Sequence, residues 1–433
     1  MGHRPVTKPA APTLEVTVER LGLEGEGIAT SQGRALFISG AFPGERVRVR
    51  LEAAAKVLRG HLEAVLEPSP ERRVPPCPLA DRCGGCDWMQ LAPASQVLEK
   101  QRLVLDALTH IGRLPSGSFD VRPTAGAGTD SGTRRRAVLH KAEGGLGYYG
   151  RRSHAPVAVD TCPALVASLA PLPGRLAPLL RPLGHALQAV HLLAEGDSIS
   201  LALALDGPVR ARVKEAAATL VRSGMAQGVV LLEPEGRTED VGKPVLEASA
   251  PGGPLVRLRL RPEAFAQAHA EGASVLVERG LELLAPRTGD RALELYAGNG
   301  TFTFALAARV ASVVAVESVP ISVALASSAS RAAKVQNIRW VQGEASRVSE
   351  GLLREGARFD VLLADPPRTG APKLARLARE LGVRRVLYVG CDAGSLARDA
   401  GRLVEVGFRL ETVQLVDLFP NTHHIEALLV FSV

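Results

Sequence analysis

Aromatic residues make up only 4% of the 433-residue chain, which excludes an extended base-stacking surface of the kind that tracks single-stranded nucleic acid. No stretch of 18 residues lacks a charged side chain, so no segment reads as a membrane helix. The opening Met1-Gly2-His3-Arg4-Pro5 has no apolar run resembling a secretory signal, and the expectation is a cytoplasmic protein with no membrane partner. Cysteine is scarce and uneven: Cys77, Cys83 and Cys86 are clustered, while Cys162 and Cys391 stand far downstream. An odd, clustered set is a poor disulfide framework and points to metal binding or catalysis.

What is present is ordinary globular material, with 46% apolar and 22% charged residues. The length suggests two or three domains at about 150 residues each. Lys and Arg total 52 against 45 for Asp and Glu, a net charge of +7 that suits a polyanionic partner. RNA contact is therefore expected to rest on charge and a few pocket residues.

Three parts are expected. Residues 8–67 alternate apolar and polar positions, as in Leu14, Val16, Val18 and again in Val47, Val49, Leu51, between Gly-rich turns. That pattern predicts a small OB-like β-barrel, with Arg46, Arg48 and Arg50 forming either a basic strip or a solvated strand face. Residues 68–262 begin with a Pro-rich linker and the cysteine cluster. They continue with an amphipathic helix over 94–111 (Val97, Leu98, Leu103 and Leu108 on its apolar side), a strand pair over 134–149, and helices near 164–192 and 211–224. From 263 to 433 apolar strands alternate with helices. This predicts an α/β domain, a doubly wound parallel sheet whose ligands bind beyond the strand C-termini.

The strand 292–296 runs into Ala297-Gly298-Asn299-Gly300, and Glu317 closes the next strand, where a carboxylate can hold ribose hydroxyls. Thr303 stands where a dinucleotide fingerprint needs its third glycine, so close pyrophosphate docking is disfavoured. Glu294 would repel phosphate but suit the cationic methionine portion of S-adenosylmethionine, which is therefore preferred over a nicotinamide cofactor. A plain strand-to-helix turn would explain the glycines but not the two acids.

Cys391 follows the strand 385–389 and precedes a helical segment over 393–404. A helix N-terminus favours a thiolate, whereas a buried structural cysteine is the bland alternative. Asp365-Pro366-Pro367-Arg368 ends a neighbouring strand, and Asp417-Leu418-Phe419-Pro420-Asn421-Thr422-His423-His424-Ile425-Glu426 comes late in the chain. These place a thiol, an arginine and carboxylates at one sheet edge.

Together these pieces resemble the S-adenosylmethionine-dependent RNA uracil-C5 methyltransferases that carry an iron–sulfur cluster. The match includes a TRAM-like N-terminal segment, Cys77-x5-Cys83-Gly84-Gly85-Cys86 with Cys162-Pro163, and Phe265-Ala266-Gln267. It continues through Glu294-Leu295-Tyr296-Ala297-Gly298-Asn299-Gly300, Asp365-Pro366-Pro367-Arg368-Thr369-Gly370 and Phe419-Pro420-x-Thr422-x-His424-Ile425-Glu426. The resemblance implies a class I (Rossmann-like) methyltransferase domain with Cys391 as nucleophile on uracil C6 and Glu426 as the base that removes the C5 proton. It implies S-adenosylmethionine contacts from Gln267, Tyr296, Gly298, Thr301, Glu317, Glu344 and Asp365. It also implies a [4Fe-4S] cluster on Cys77, Cys83, Cys86 and Cys162, although four cysteines alone fit zinc nearly as well.

A flipped or single-stranded uridine is needed, with rRNA expected first, tRNA second, and a monomeric enzyme. Arg134, Arg135, Arg136, Lys141, Arg151 and Arg152 are candidate phosphate contacts, each weighed against a solvated face. The sequence departs from the family around the nucleophile. Ser-Cys-Asn followed by Pro is usual, and here Gly390-Cys391-Asp392-Ala393 stands, with Asp392 expected to raise the thiol pKa. Two rivals follow: a non-catalytic RNA-binding protein with a decayed methyltransferase domain, and an amino-group methyltransferase suggested by Asp-Pro-Pro. The second wants an aromatic residue where Arg368 stands.

Overall fold

The computed structural model describes residues 12–52, 57–126 and 130–433, so the expected domain start at residue 8 lies outside the described residues. The chain divides into two units. The first holds residues up to Asp81 with Cys86–Leu103 and Asn421–His423; the second holds Arg82–Gly85, Val104–Pro420 and His424–Val433. Among the described residues no helix is long and apolar enough to cross a membrane.

In the first unit six strands form one sheet in the order Thr13–Thr17, Arg46–Leu51, Leu58–Glu67, Arg34–Ile38, Gly27–Ser31, Arg20–Leu21. Alternation does the sorting: Val47 and Val49 are fully buried with Leu36 and Ile38, while the intervening arginines face water. The arginine strip is not left open to an anion. Arg46 pairs with Glu15 and Glu67, Arg48 with Glu15, and Arg50 with Glu63, all within 3.2 Å. Such exposed pairs add little stability, yet they neutralise the face.

Trp88 is buried beside Leu21, Phe42, Leu91 and Leu103, and its Nε1 donates to the Gly25 carbonyl at 2.8 Å. Gly25 has φ +79°, and a Cβ there would stand 2.5 Å from the Asp87 carboxylate. Asn421 takes φ +65°, a left-handed conformation that asparagine tolerates well, which accounts for its presence. Its amide donates to Gln96, and its side-chain oxygen accepts from Arg73.

The second unit contains two large sheets. Seven strands, ordered Pro156–Ala158, Gly145–Tyr149, Arg136–Ala142, Leu187–Glu195, Ser198–Leu205, Gly228–Leu232, Thr238–Gly242, pack one face against the helices Leu172–Leu180 and Ala211–Arg222. The expected helix over 164–192 is thus corrected. Only Leu172–Leu180 is α-helical, a 3-10 segment spans Arg181–Ala186, and Leu187–Glu195 is a central strand. Prolines at 171, 173, 178 and 182 limit the helix, and sheet burial overrides the helical preference of Leu and Ala. The first expected helix spans Pro93–His110, but Leu98 is 67% exposed and does not belong to its buried side.

The other sheet runs Ile338–Gln342, Ser312–Glu317, Arg291–Leu295, Val361–Ala364, Arg385–Gly390, Ala427–Ser432, Arg409–Val416, Asp120–Ala125. Five adjacent strands are parallel, Ala427–Ser432 is antiparallel to both neighbours, and Asp120–Ala125 adds parallel to Arg409–Val416. The mixed α/β architecture matches the expected fold class. The last strand comes from the stretch expected to belong wholly to the central region, so the catalytic sheet borrows an edge from upstream. Strand order reverses between Arg291–Leu295 and Val361–Ala364, which opens a ligand crevice at their C-terminal ends.

Candidate active site

Register alone brings the two expected catalytic residues together. Gly390 pairs with Ala427 in the antiparallel ladder, so the residue after Gly390 and the residue before Ala427 meet: Cys391 and Glu426. Ala364 pairs with Tyr388 on the other side, which brings Asp365 to the same end. The Cys391 thiol responds to the charges of Glu426, Asp365, Arg368 and Asp392.

The surroundings of the thiol oppose the thiolate expected from the helix N-terminus. Burial first, then the Glu426 and Asp365 carboxyls, push the Cys391 thiol up to about 12; Arg368 opposes them and Asp392 adds a smaller push. Asp392 therefore acts in the expected direction, but its carboxylate caps the helix Ala393–Glu405 by accepting from the Ser395 amide at 2.7 Å. Burial raises Asp365 to about 7 and, with Asp365 beside it, raises Glu426 well above the usual carboxylate range. Burial thus favours the protonated thiol and raises the proton affinity of the two carboxyls beside it.

The turn carrying Asp365 and Arg368 is tied down from behind. Asp399, 3% exposed, accepts from the Ala371 amide at 2.6 Å and the Tyr388 hydroxyl at 2.8 Å. Gly370 packs so closely that a Cβ would lie 2.5 Å from the same carboxylate, at φ +79°. The Arg368 guanidinium lies 3.0 to 3.1 Å from the ring nitrogens of His424. Nothing in the local sequence marked Asp399.

The cofactor crevice begins at Glu294, which is 1% exposed; its Oε2 and the Thr303 Oγ1 are buried without a hydrogen-bond partner. Burial, then the neighbouring charges of Asp365 and Glu317, lift Glu294 to about 8. Tyr296 follows with φ +63°, a strained backbone for an aromatic residue and of the kind that clusters at functional sites. Gly298 also has positive φ, and a Cβ there would meet nothing within 4 Å, so the loop opens onto space. Glu317 Oε2 accepts from the Gly298 amide at 2.9 Å while its Oε1 accepts from the Val319 amide. Thr301 Oγ1 donates to Asn299.

An uncompensated set of acids around an open loop, with one bare carboxyl oxygen, fits a cationic ligand such as S-adenosylmethionine. Gln267 is buried on the segment before the helix Ala270–Leu284, next to Ala266, which shares an apolar cluster with Phe304. Glu344 caps the helix Ala345–Arg354 through the Ser346 and Arg347 amides, and its charge is felt by the Tyr296 hydroxyl.

The remaining candidates separate. Arg135 is buried, paired with Glu195 at 2.5 Å and donating to the Gln267 carbonyl, so it is structural rather than a phosphate contact. Arg134 bridges by its backbone to Leu165 and His269, and Lys141 and Arg152 are exposed. Cys83 and Cys162 both act on the buried Tyr148 hydroxyl, whose pKa burial and the Cys162 thiol raise. None of the five cysteines forms a disulfide. Among the described residues no group of three or more His, Cys, Asp or Glu side chains is placed to hold a metal ion.

A family model described as tRNA (Uracil-5-)-methyltransferase matches residues 252–432, and a TRAM domain model matches 12–62. A Pseudomonas putida protein named 23S rRNA (uracil(1939)-C(5))-methyltransferase RlmD is 33% identical, covering 100% of this chain and 96% of its own length. A protein of the same name from Alkalilimnicola ehrlichii is 34% identical, covering 100% and 99%. Among solved structures, a Pyrococcus abyssi tRNA (uracil-54, C5)-methyltransferase in complex with S-adenosyl-L-homocysteine aligns with a TM-score of 0.73 at 21% identity. It covers 96% of this chain and 100% of that one, and shows the fold.

Proposed function

We propose, from the premise that the chain belongs to the S-adenosylmethionine-dependent RNA uracil-C5-methyltransferase family, that it methylates C5 of a uridine in 23S rRNA within the cytoplasm. The substrate rests on the names of full-length relatives at 33% to 34% identity. The chemistry rests on one observation, the Gly390–Ala427 register that sets Cys391 beside Glu426.

Uracil C5 is too weak a nucleophile to take a methyl group unaided. Addition of sulfur to C6 makes an enolate that is nucleophilic at C5. Cys391 forms the Sγ–C6 bond as its proton passes to the neighbouring carboxylates, whose raised proton affinity suits them to accept it. Bound S-adenosylmethionine supplies an electrophilic methyl group. Glu426 then removes the C5 proton, the C6–Sγ bond breaks, the carboxylate pair returns one proton to sulfur, and the other leaves to solvent. Gln267, Tyr296, Gly298, Thr301, Glu317, Glu344 and Asp365 hold the cofactor in this reading, and Glu294 answers its positive charge.

Incubating unmodified 23S rRNA and tRNA with enzyme and methyl-labelled S-adenosylmethionine, followed by nucleoside mass spectrometry, tests the proposal. Labelled 5-methyluridine in 23S rRNA is expected. Label in tRNA alone would transfer the reading to tRNA, and no label in any uridine would leave the decayed, RNA-binding rival.

Glu294 gives a second expectation. A group raised from 4.5 to about 8 contributes stability that is greatest below 4.5 and is lost as pH rises toward 8. Bringing a cation beside it favours the ionised form, so cofactor affinity should rise between pH 6 and pH 8. Glu294→Gln should weaken S-adenosylmethionine binding at pH 8 about tenfold, a loss typical of one charge-assisted contact. It should also remove much of the pH dependence. Calorimetric affinities that are equal at both pH values in the unsubstituted protein would contradict this assignment.

The cysteines complete the proposal: Cys77, Cys83, Cys86 and Cys162 bind a [4Fe-4S] cluster that organises the fold and takes no part in the reaction. The support is the donor chemistry and the common approach of Cys83 and Cys162 to Tyr148. Anaerobically purified protein is expected to carry about four irons and four acid-labile sulfides per chain. Zinc without iron would assign the site to zinc, and neither metal would remove it.

A further inference from the structure

The seven-stranded sheet has a second face, opposite its leucine-rich core, that carries an unbalanced charge. Strand Arg136–Ala142 lies between Gly145–Tyr149 and Leu187–Glu195, with Val138 opposite His191 and His140 opposite Gly147. Strand alternation sends Leu139 and Leu146 into the core and sets Arg136, His140, His191 and Tyr149 on the other face.

Arg136 is partly buried, and loss of water alone acts on it, lowering its pKa; its Nε is buried without a hydrogen-bond partner. Other buried arginines of this unit are matched: Arg135 with Glu195, and Arg261 with Asp240 and Glu263. The neighbouring His191 ring donates to the Pro262 carbonyl, and burial with the charge of Arg136 lowers its proton affinity, so it adds no cation to this face. Beside them His140 stacks on Tyr149 at 4.1 Å and 22°, His154 meets Tyr149 edge-on, and Tyr149 is 42% exposed.

A half-buried guanidinium without a counter-ion is costly to keep unless an anion completes it. A phosphate does so, and an exposed stacked pair next to it offers a plane for a base. The low aromatic content excludes a long stacking surface but not a single step.

We infer that this face is a nucleotide subsite for the RNA substrate, where Arg136 takes a backbone phosphate and a base stacks on the Tyr149–His140 pair. It rests on the RNA-methyltransferase reading and adds a place where the RNA is gripped away from the reacting uridine.

The test compares wild type, Arg136→Gln and Tyr149→Ala on 23S rRNA fragments over a range of salt. Arg136→Gln should weaken RNA binding about tenfold and lower the slope of log affinity against log salt by about one. Tyr149→Ala, an exposed position that leaves the fold intact, should weaken RNA binding about tenfold with an unchanged slope. S-adenosylhomocysteine affinity, and kcat at saturating RNA, should stay within about twofold of wild type, which an indirect structural effect would not respect. Photo-crosslinking of wild type to 4-thiouridine RNA should mark the segment 136–154.

Wild type that makes no 5-methyluridine would defeat the underlying function. Active wild type with both variants binding RNA normally, or with crosslinks confined elsewhere, would defeat the subsite alone.

Discussion

Cys391→Ala is expected to abolish methyl transfer, with turnover lower by about 10⁴-fold or more, as deletions of a covalent nucleophile typically are. Of the five cysteines only Cys391 follows the strand Arg385–Gly390, so no second thiol stands at this edge to add to C6 in its place. The carboxyls keep their neighbours, and the Asp392 cap and the Asp399 tether do not involve sulfur. The variant should therefore fold and bind S-adenosylhomocysteine and RNA normally. Initial rates with labelled cofactor decide the matter. Turnover near wild type would remove the covalent mechanism and favour amino-group transfer, in which no cysteine is required.

The strands of the catalytic sheet were legible because they are buried on both faces and read as unbroken apolar runs, as in Val361–Ala364 and Ser312–Glu317. Cys391 and Asp365 were legible as strand ends for the same reason. Their partnership with Glu426 was visible only through resemblance, since it depends on the pairing of strands distant in sequence. Leu187–Glu195 was misread because a Leu- and Ala-rich run carries the same composition whether helix or buried strand, and only its partners decide.

Charge was the least legible quantity. Arg46, Arg48, Arg50 and Arg135 read as anion-binding residues until their carboxylate partners were located, whereas Arg136 retained that reading because it has no carboxylate partner among the described residues. The left-handed backbone at Tyr296 and the tether from Asp399 carry no sequence signal at all.

Glu426→Gln separates the two halves of the reaction. The amide keeps the size of the side chain but cannot accept the C5 proton, so sulfur can still add to C6 and C5 can still be methylated. Elimination then lacks its base, and turnover should fall about 10²- to 10⁴-fold. Enzyme covalently joined to methylated RNA should accumulate and survive denaturing electrophoresis, which Cys391→Ala should never show. The pH profile adds a sign. Proton affinity at Glu426 and Asp365 is raised above the usual carboxylate range, so in the unsubstituted enzyme kcat should rise with pH above that range as they ionise. The substitution should remove the Glu426 part of that limb. Loss of turnover without a trapped adduct would mean that Glu426 acts before sulfur adds, in taking the thiol proton. A trapped adduct carrying the methyl group would place it after transfer, where the antiparallel register sets it against the carbon that must lose its proton.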